Sequence, residues 1–252
     1  MADLPSSNKA GSQAAMTGAV TPFRLADVPA QPWKNGGGTT REIACWPPGA
    51  SVQDFLWRIS VARIDAAGPF SRFADVDRVI TLLSGAGVML RGGFPAQTHA
   101  LTETLLPFAF PGDVDVDCVL QGGASEDFNV MSRRGAVRAR VTVIWQAGEL
   151  PAASHGLLLA VGGGWEVHDA GTQVAGIHAA TQASGIHADP GGDGACHSLA
   201  PDAGLWWAQT SQAWRVKPAA DNGSGLIAVS FDISAVPHPT GGDGHAPQPK
   251  SA

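Results

Sequence analysis

Charge is scarce in this chain. Only 15% of its 252 residues are Asp, Glu, Lys or Arg, and the formal net charge is -6. Such a composition cannot assemble the basic surface that tracks phosphates, so neither nucleic acid nor an anionic membrane is expected as a partner. No run approaches the roughly 20 apolar residues of a membrane-spanning helix. The first residues, MADLPSSNKAGSQAAMTGAV, have neither the basic nor the apolar region of a secretory signal. The expected compartment is therefore the cytoplasm. Cys45, Cys118 and Cys196 are far apart with no CxxC among them, and they read as reduced, mostly buried thiols.

Several chemistries lack their residues. None of the eight histidines precedes His99, and neither HxH nor HExxH occurs, so no metal site is expected. His178, His187 and His197 are regularly spaced, but they sit in a Gly/Ala-rich stretch that offers little to orient a ligand. The GxSxG turn of a serine hydrolase is missing, as is the GxxxxGK[ST] phosphate loop. No cofactor is expected. No dozen-residue stretch carries a 3.6-residue apolar period, which excludes a helical architecture.

What the chain has is short β-branched and aromatic runs, among them TTREIACW, LWRISVARI, DRVITLLS, DFNVMSR, VRARVTVIW and GLIAVSFDI, separated by turns rich in its 32 glycines and 18 prolines. That spacing predicts an all-β sandwich or barrel. In LWRISVARI, Trp57, Ile59 and Val61 face one way and Arg58, Ser60 and Ala62 the other. In DFNVMSR, Phe128 and Val130 oppose Asp127, Asn129, Met131 and Arg133. These polar faces are either the solvated outside of a sandwich or the lining of a lumen. A seam is expected near residues 135–150. Residues 1–20 and the end from about 236 are expected as disordered tails, and residues 169–204 as a long inserted loop with little to bury.

The most unusual stretch is PWKNGGGTTRE, residues 32–42. Gly36, Gly37 and Gly38 permit positive φ, so their amides can turn inward as an anion-binding nest. Lys34 would add a point charge. It is one of four lysines against twelve arginines, and Lys9 and Lys250 fall in the expected tails. The alternative is a flexible surface turn whose Trp33 caps the barrel. Arg41, Arg58, Arg78 and Arg133 lie on or beside predicted strands, with Glu42, Asp77, Asp113 and Asp127 near them in sequence. They are either structural ion pairs or, pointing unpaired into a cavity, a site for a carboxylate.

Taken together, PWKNGGGTTREI, FLWRISVARIDAAGPFSRFADVDRVITLLSG and PFAFPGDVDVDCVLQGGASEDFNVMSRR resemble, in order and spacing, the HutD/Ves family. The resemblance is dense over residues 22–147 and weaker to about residue 233. It implies a metal-free bicupin, an RmlC-like jelly roll with two β-barrel-like halves, here residues 21–147 and 148–235. The family pattern also falls on Phe70, Ser71, Asp77, Gly112 and Asp113. The implied role is a non-enzymatic small-molecule binder, a regulator linked to histidine and urocanate utilisation. Its ligand would be a small carboxylate such as urocanate, formylglutamate or formate, and a homodimer is compatible with it. Trp33, Lys34, Asn35, Gly36, Gly37, Gly38, Arg41, Glu42, Arg58, Ser60, Arg78, Asp127, Phe128, Asn129, Met131 and Arg133 are the expected ligand-binding residues. The alternative is a metal-free cupin enzyme, an isomerase or hydrolase, with Glu42 or Asp127 as general acid/base.

Overall fold

Side-chain alternation in one strand, Trp57–Ile64, shows how the chain is layered. Trp57, Ile59 and Val61 enter one apolar cluster, while Ile64 enters a different one. Its two faces therefore belong to two separate cores. The structure, a computed structural model, describes residues 19–171 and 195–234. The expected N-terminal tail apart from residues 19 and 20, the expected C-terminal tail and most of the expected insertion lie outside the described residues.

In chain order the strands are β1 (Val20–Arg24), β2 (Ala30–Pro32), β3 (Gly38–Trp46), β4 (Trp57–Ile64), β5 (Gly68–Pro69), β6 (Val76–Ser84), β7 (Val88–Gly92), β8 (Thr98–Leu101), β9 (Phe108–Pro111), β10 (Val116–Leu120), β11 (Ser125–Arg133), β12 (Val137–Ile144), β13 (Gly148–Ala153), β14 (Gly156–Val161), β15 (Trp165–Asp169), β16 (Cys196–Leu199), β17 (Ala203–Trp207), β18 (Gln212–Pro218) and β19 (Gly225–Ile233). One 3-10 turn, Leu25–Asp27, follows β1. The sheets run β2-β3-β4-β11-β6-β9 and β5-β10-β7-β8 in one half, and β1-β17-β14-β19-β12 and β13-β18-β15-β16 in the other. Within each half the two sheets close over a core, giving two jelly-roll barrels in one chain.

Among the described residues, three of four buried apolar clusters hold the four sheets, the fourth being the small group of Phe55, Val76 and Met131. Ile80, Leu82, Leu90 and Val116 fill part of the first barrel, and Trp165, Trp207 and Trp214 fill the second with Leu158 and Leu205. Between the barrels, Trp57, Ile59, Phe128 and Val130 of the six-stranded sheet meet Leu157, Ile227 and Phe231 of the five-stranded one. Trp57 stacks on Phe231 with ring centroids 4.6 Å apart and donates from Nε1 to His155 Nδ1 at 3.3 Å. This inter-barrel layer makes the halves one packed body.

The first half also contributes strands to the second. β1 pairs with β17 and β12 with β19, so two strands inside residues 21–147 belong to the second barrel's sheet. β1 is held there because Gly204 leaves the space that the Phe23 ring occupies. The expected loop over 169–204 is also too wide, since Cys196–Leu199 is a strand paired with β15 and Ala203 begins β17. The small polar residues of CHSL hid an edge strand, in which only Leu199 is buried.

Candidate functional site

The side chains that matter lie on the inner face of the six-stranded sheet, and the register of its strands arranges them in rungs. Met131 of β11 stands opposite Arg58 of β4 on one side and Arg78 of β6 on the other. The next rung is Glu42, Ser60, Asn129 and Ile80, and the one after it Thr40, Ala62, Asp127 and Leu82. Two arginines thus share a rung at one end of the barrel, while aliphatic side chains close the other. The polar faces read from LWRISVARI and DFNVMSR line a lumen and are not the outside of a sandwich.

A cavity of about 580 Å³ occupies this end, bordered by Trp33, Lys34, Asn35, Arg58, Ser60, Phe70, Phe73, Arg78, Asn129 and Met131, with Thr40, Ala62, Ile64, Pro69 and Ser71. Arg78 is its most constrained member. It is buried, and its guanidinium lies over the rings of Phe70, Phe73 and Phe110 at 5.0 to 5.7 Å from their centroids. It donates one side-chain hydrogen bond, from Nη2 to Asn129 Oδ1 at 2.8 Å, its Nε is buried without a partner, and no salt bridge reaches it among the described residues. Burial pulls its pKa down to about 10, the Arg58 charge adding to the push and Asp127 opposing it. It remains a cation at neutral pH.

Arg58 is half neutralised: its Nε meets Glu42 Oε2 at 2.6 Å, with Glu42 at the more exposed side. Asn129 is oriented by its second bond, from Nδ2 to the Asp127 carbonyl at 3.3 Å. Asp127 is fully buried, and neither carboxylate oxygen has a hydrogen-bond partner. Burial pushes it up to about 7, against the pull of Arg78. Burial, with Asp127 adding to it, also raises the neighbouring Cys118 thiol to about 12. Such a set can hold an anion: fixed cations at low dielectric, an oriented amide, and apolar rings around them.

Eight of the expected residues border the cavity: Trp33, Lys34, Asn35, Arg58, Ser60, Arg78, Asn129 and Met131. The others are placed elsewhere. The glycine run forms no free nest, because the Gly36 amide donates to the Trp33 carbonyl at 3.0 Å and the Gly37 amide to Asn35 Oδ1 at 3.0 Å. These bonds close the turn that presents Trp33, whose Nε1 is anchored on Thr40 Oγ1 at 2.8 Å. Gly38 is needed for contact, since a Cβ there would strike the Arg63 carbonyl and the Trp33 ring. Arg41 bonds the Val28 carbonyl at 2.6 Å, and Arg133 clamps the carbonyls of Ala74, Gln53 and Phe55. Both hold loops. Phe128 points into the inter-barrel core, Glu42 reaches the cavity only through Arg58, and Asp127 lies below the lining.

Phe70, Phe73, Pro69, Ser71 and Thr40 were not among the expected ligand residues. Phe70 and Ser71 fall on the family pattern, which was the available signal. Phe73 and Pro69 carried none, because they enter the wall through a loop fixed by backbone bonds from Phe70 to Val116 and Phe73 to Gly112. Among the described residues no group of three or more His, Cys, Asp or Glu could hold a metal ion, and no helix is long and apolar enough to cross a membrane.

A family model described as HutD matches residues 25–220. The chain belongs to the HutD family. Protein Ves of Cronobacter sakazakii is 34% identical over 198 residues, covering 78% of this chain and 92% of its own. A Pseudomonas putida protein described as an uncharacterised 21.2 kDa product of the hutC 3′ region is 41% identical over 157 residues, 60% of this chain and 79% of its own. That name ties the family to a histidine-utilisation gene region. Among solved structures, HutD from Pseudomonas fluorescens SBW25, in a formate condition, is 26% identical with a TM-score of 0.66, covering 86% of this chain and all of its own. Oxalate decarboxylase of Lactobacillus farciminis, 7% identical with a TM-score of 0.53 over 84% of this chain and 88% of its own, shares the cupin fold alone.

Proposed function

We propose that the first barrel binds a small carboxylate and that the protein acts as a non-enzymatic binder, a regulator linked to histidine and urocanate utilisation. The observation that carries this reading is Arg78: a buried cation, without a salt bridge among the described residues, on the wall of a cavity of about 580 Å³. That volume falls within the ~300–1,000 Å³ of small-molecule sites. A guanidinium held by one amide and three rings keeps its donor fork for a planar anion. Arg58 and the exposed Lys34 add charge on the same cavity, and Trp33, Phe70 and Phe73 cover an apolar body. The relative from Pseudomonas fluorescens, described in a formate condition, is in keeping with a small carboxylate.

Calorimetric titration with formate, urocanate and N-formylglutamate tests the reading, with Arg78→Met as the control. Removing a charge-assisted hydrogen bond worth about 1.5–3 kcal/mol weakens binding roughly 10- to 150-fold. No heat from any of the three ligands at millimolar concentration, or unchanged affinity in Arg78→Met, refutes it. One observation favours the enzyme reading: Asp127, at about 7, has the proton affinity of a neutral-pH acid or base. Its oxygens are sealed below the lining, which weighs against direct contact with a ligand. Multiple turnovers of urocanate or N-formylglutamate, lost in Asp127→Asn, would decide for it.

A further inference from the structure

Among the described residues only two Asp, Glu, Lys or Arg side chains are buried, Arg78 and Asp127, and both belong to the first barrel. Asn129 joins them. Its Oδ1 accepts from Arg78 Nη2 at 2.8 Å, and its Nδ2 donates to the main-chain carbonyl of Asp127 at 3.3 Å. No ion pair closes between Arg78 and Asp127, yet each charge acts on the other across the dry interior. The other charges around Asp127 are committed or lie outside. Arg58 of β4 is bound to Glu42 of β3 at 2.6 Å, Lys34 is exposed, and Cys118 of β10 is held as a neutral thiol. Glu126, next along β11, reaches Ser84 and adds only like charge. Ala62 and Leu82, which flank Asp127 on β4 and β6, carry none. Asp127 therefore has one counter-charge, Arg78.

We propose that the site takes up its carboxylate together with a proton, and that the proton lodges on Asp127. This rests on the carboxylate reading of the first barrel and adds a second species to it. A carboxylate seated on Arg78 shares that cation with Asp127. Two anions then flank one guanidinium at low dielectric, an arrangement that raises the proton affinity of one of them. The ligand also has Arg58 and Lys34 on the cavity wall; Asp127 has no second cation, so it is the one that protonates. Neither of its oxygens accepts a hydrogen bond, and the proton therefore displaces no donor. Without a ligand burial holds Asp127 at about 7, and the bound anion moves it higher. Below that value the proton is already in place and binding recruits none. Above it the free site has released the proton and binding must recover it, so affinity falls as pH rises.

Calorimetry on the full chain with formate and with N-formylglutamate, whose carboxyl groups stay ionised from about pH 6 to pH 8, reads the proton directly. Affinity is expected to fall about tenfold over that range. At about pH 8 the heats in HEPES and in Tris should differ by about nine-tenths of the difference between the two buffers' ionisation enthalpies, the share of a proton that a group at about 7 has released there. Asp127→Asn flattens the pH profile and removes the buffer difference. In wild-type protein labelled with carbon-13 aspartate, the Asp127 carboxyl resonance moves to its protonated position as formate is added at the same pH, which assigns the proton without a variant. A resonance that stays in place, an affinity constant to within about twofold over the range, or a pH dependence that Asp127→Asn retains overturns the proton uptake and leaves the carboxylate reading standing. No heat from formate, N-formylglutamate or urocanate at millimolar concentration overturns both.

Discussion

Asp127→Asn is the most discriminating single change in the barrel. The carboxyl sits at about 7 in the fold against an ordinary 3.8, because burial disfavours its charged form more than Arg78 favours it. Between those two values the folded protein holds a proton that the unfolded chain has released. Stability therefore falls as pH rises through that window and is level above about 7. At ~1.36 kcal/mol per tenfold change in acidity, the loss amounts to about 4 kcal/mol, which for a chain of this size corresponds to about 8–16 °C in Tm. Asparagine keeps the shape and cannot ionise. Thermal unfolding of both proteins from pH 4 to pH 8 should give melting temperatures that coincide within a few degrees at pH 4 and diverge as pH rises, the variant melting higher at pH 8. Groups common to both proteins cancel in this difference. Parallel curves over the whole range would refute the reasoning, since Asp127 would then have to be ionised in the fold and paired with a group the geometry does not supply.

Phe128→Ala separates packing from binding. With its ring wholly inside the inter-barrel core, truncation costs about 3–5 kcal/mol of stability, measured by urea unfolding, and leaves carboxylate affinity unchanged in calorimetry. Gly38→Ala pushes a methyl group into the Arg63 carbonyl and the Trp33 ring; overpacking of this kind costs about 3 kcal/mol, and displacement of Trp33 is expected to weaken ligand binding as well. Arg134 holds Asp77 at 2.8 Å and both oxygens of Asp113, which keeps the Asp113 carboxyl below its ordinary range. That contribution is present above the ordinary carboxylate range and disappears as pH falls through the depressed one. Arg134→Gln should return Asp113 to ordinary titration, followed by carboxyl chemical shifts in NMR.

The sequence made the lumen legible because strand alternation is a local signal. Arg58 and Ser60, and likewise Asn129 and Met131, sit two apart, and any register that stacks them puts them on one face. The same rule places Phe128 opposite Asn129, so its inclusion among ligand residues went against a pattern visible in DFNVMSR. Hydrogen-bond destinations are a different matter. Gly36 and Gly37 have the freedom to form a nest, but their amides are consumed by the turn they make, a closure that glycine content does not reveal. Arg41 and Arg133 were indistinguishable by type from Arg58 and Arg78. Their partners are main-chain carbonyls; the contacts of Arg133 with Ala74 and Gln53 are 59 and 80 positions distant. The placement of β1 and β12 in the second barrel's sheet escaped for a similar reason, since pairing over such separations is a property of the assembled sheets.

The two barrels share an architecture and differ in what fills them, and that difference places the proposed site in the first barrel. In the second barrel Trp165, Trp207 and Trp214 are almost wholly buried and pack against Leu158, Leu205 and Val216; Trp207 and Trp214 meet edge to face at 5.5 Å. Indoles of that size fill much of a close-packed interior. In the first barrel the corresponding end carries Arg58, Arg78 and Asn129, whose polar groups need a partner that the protein only partly provides. A buried guanidinium is costly unless an anion or several acceptors answer it, and here one amide and three ring faces do so. The tryptophan-filled barrel contributes the five-stranded sheet that backs the outer face of the site sheet, and the burial of Trp57, Ile59 and Phe128 between them fixes the strands from which Arg58 and Asn129 project. One barrel is thus the rigid support, and the other, braced against it, keeps two cations pointing into a shared space where an exposed sheet would let them turn to water.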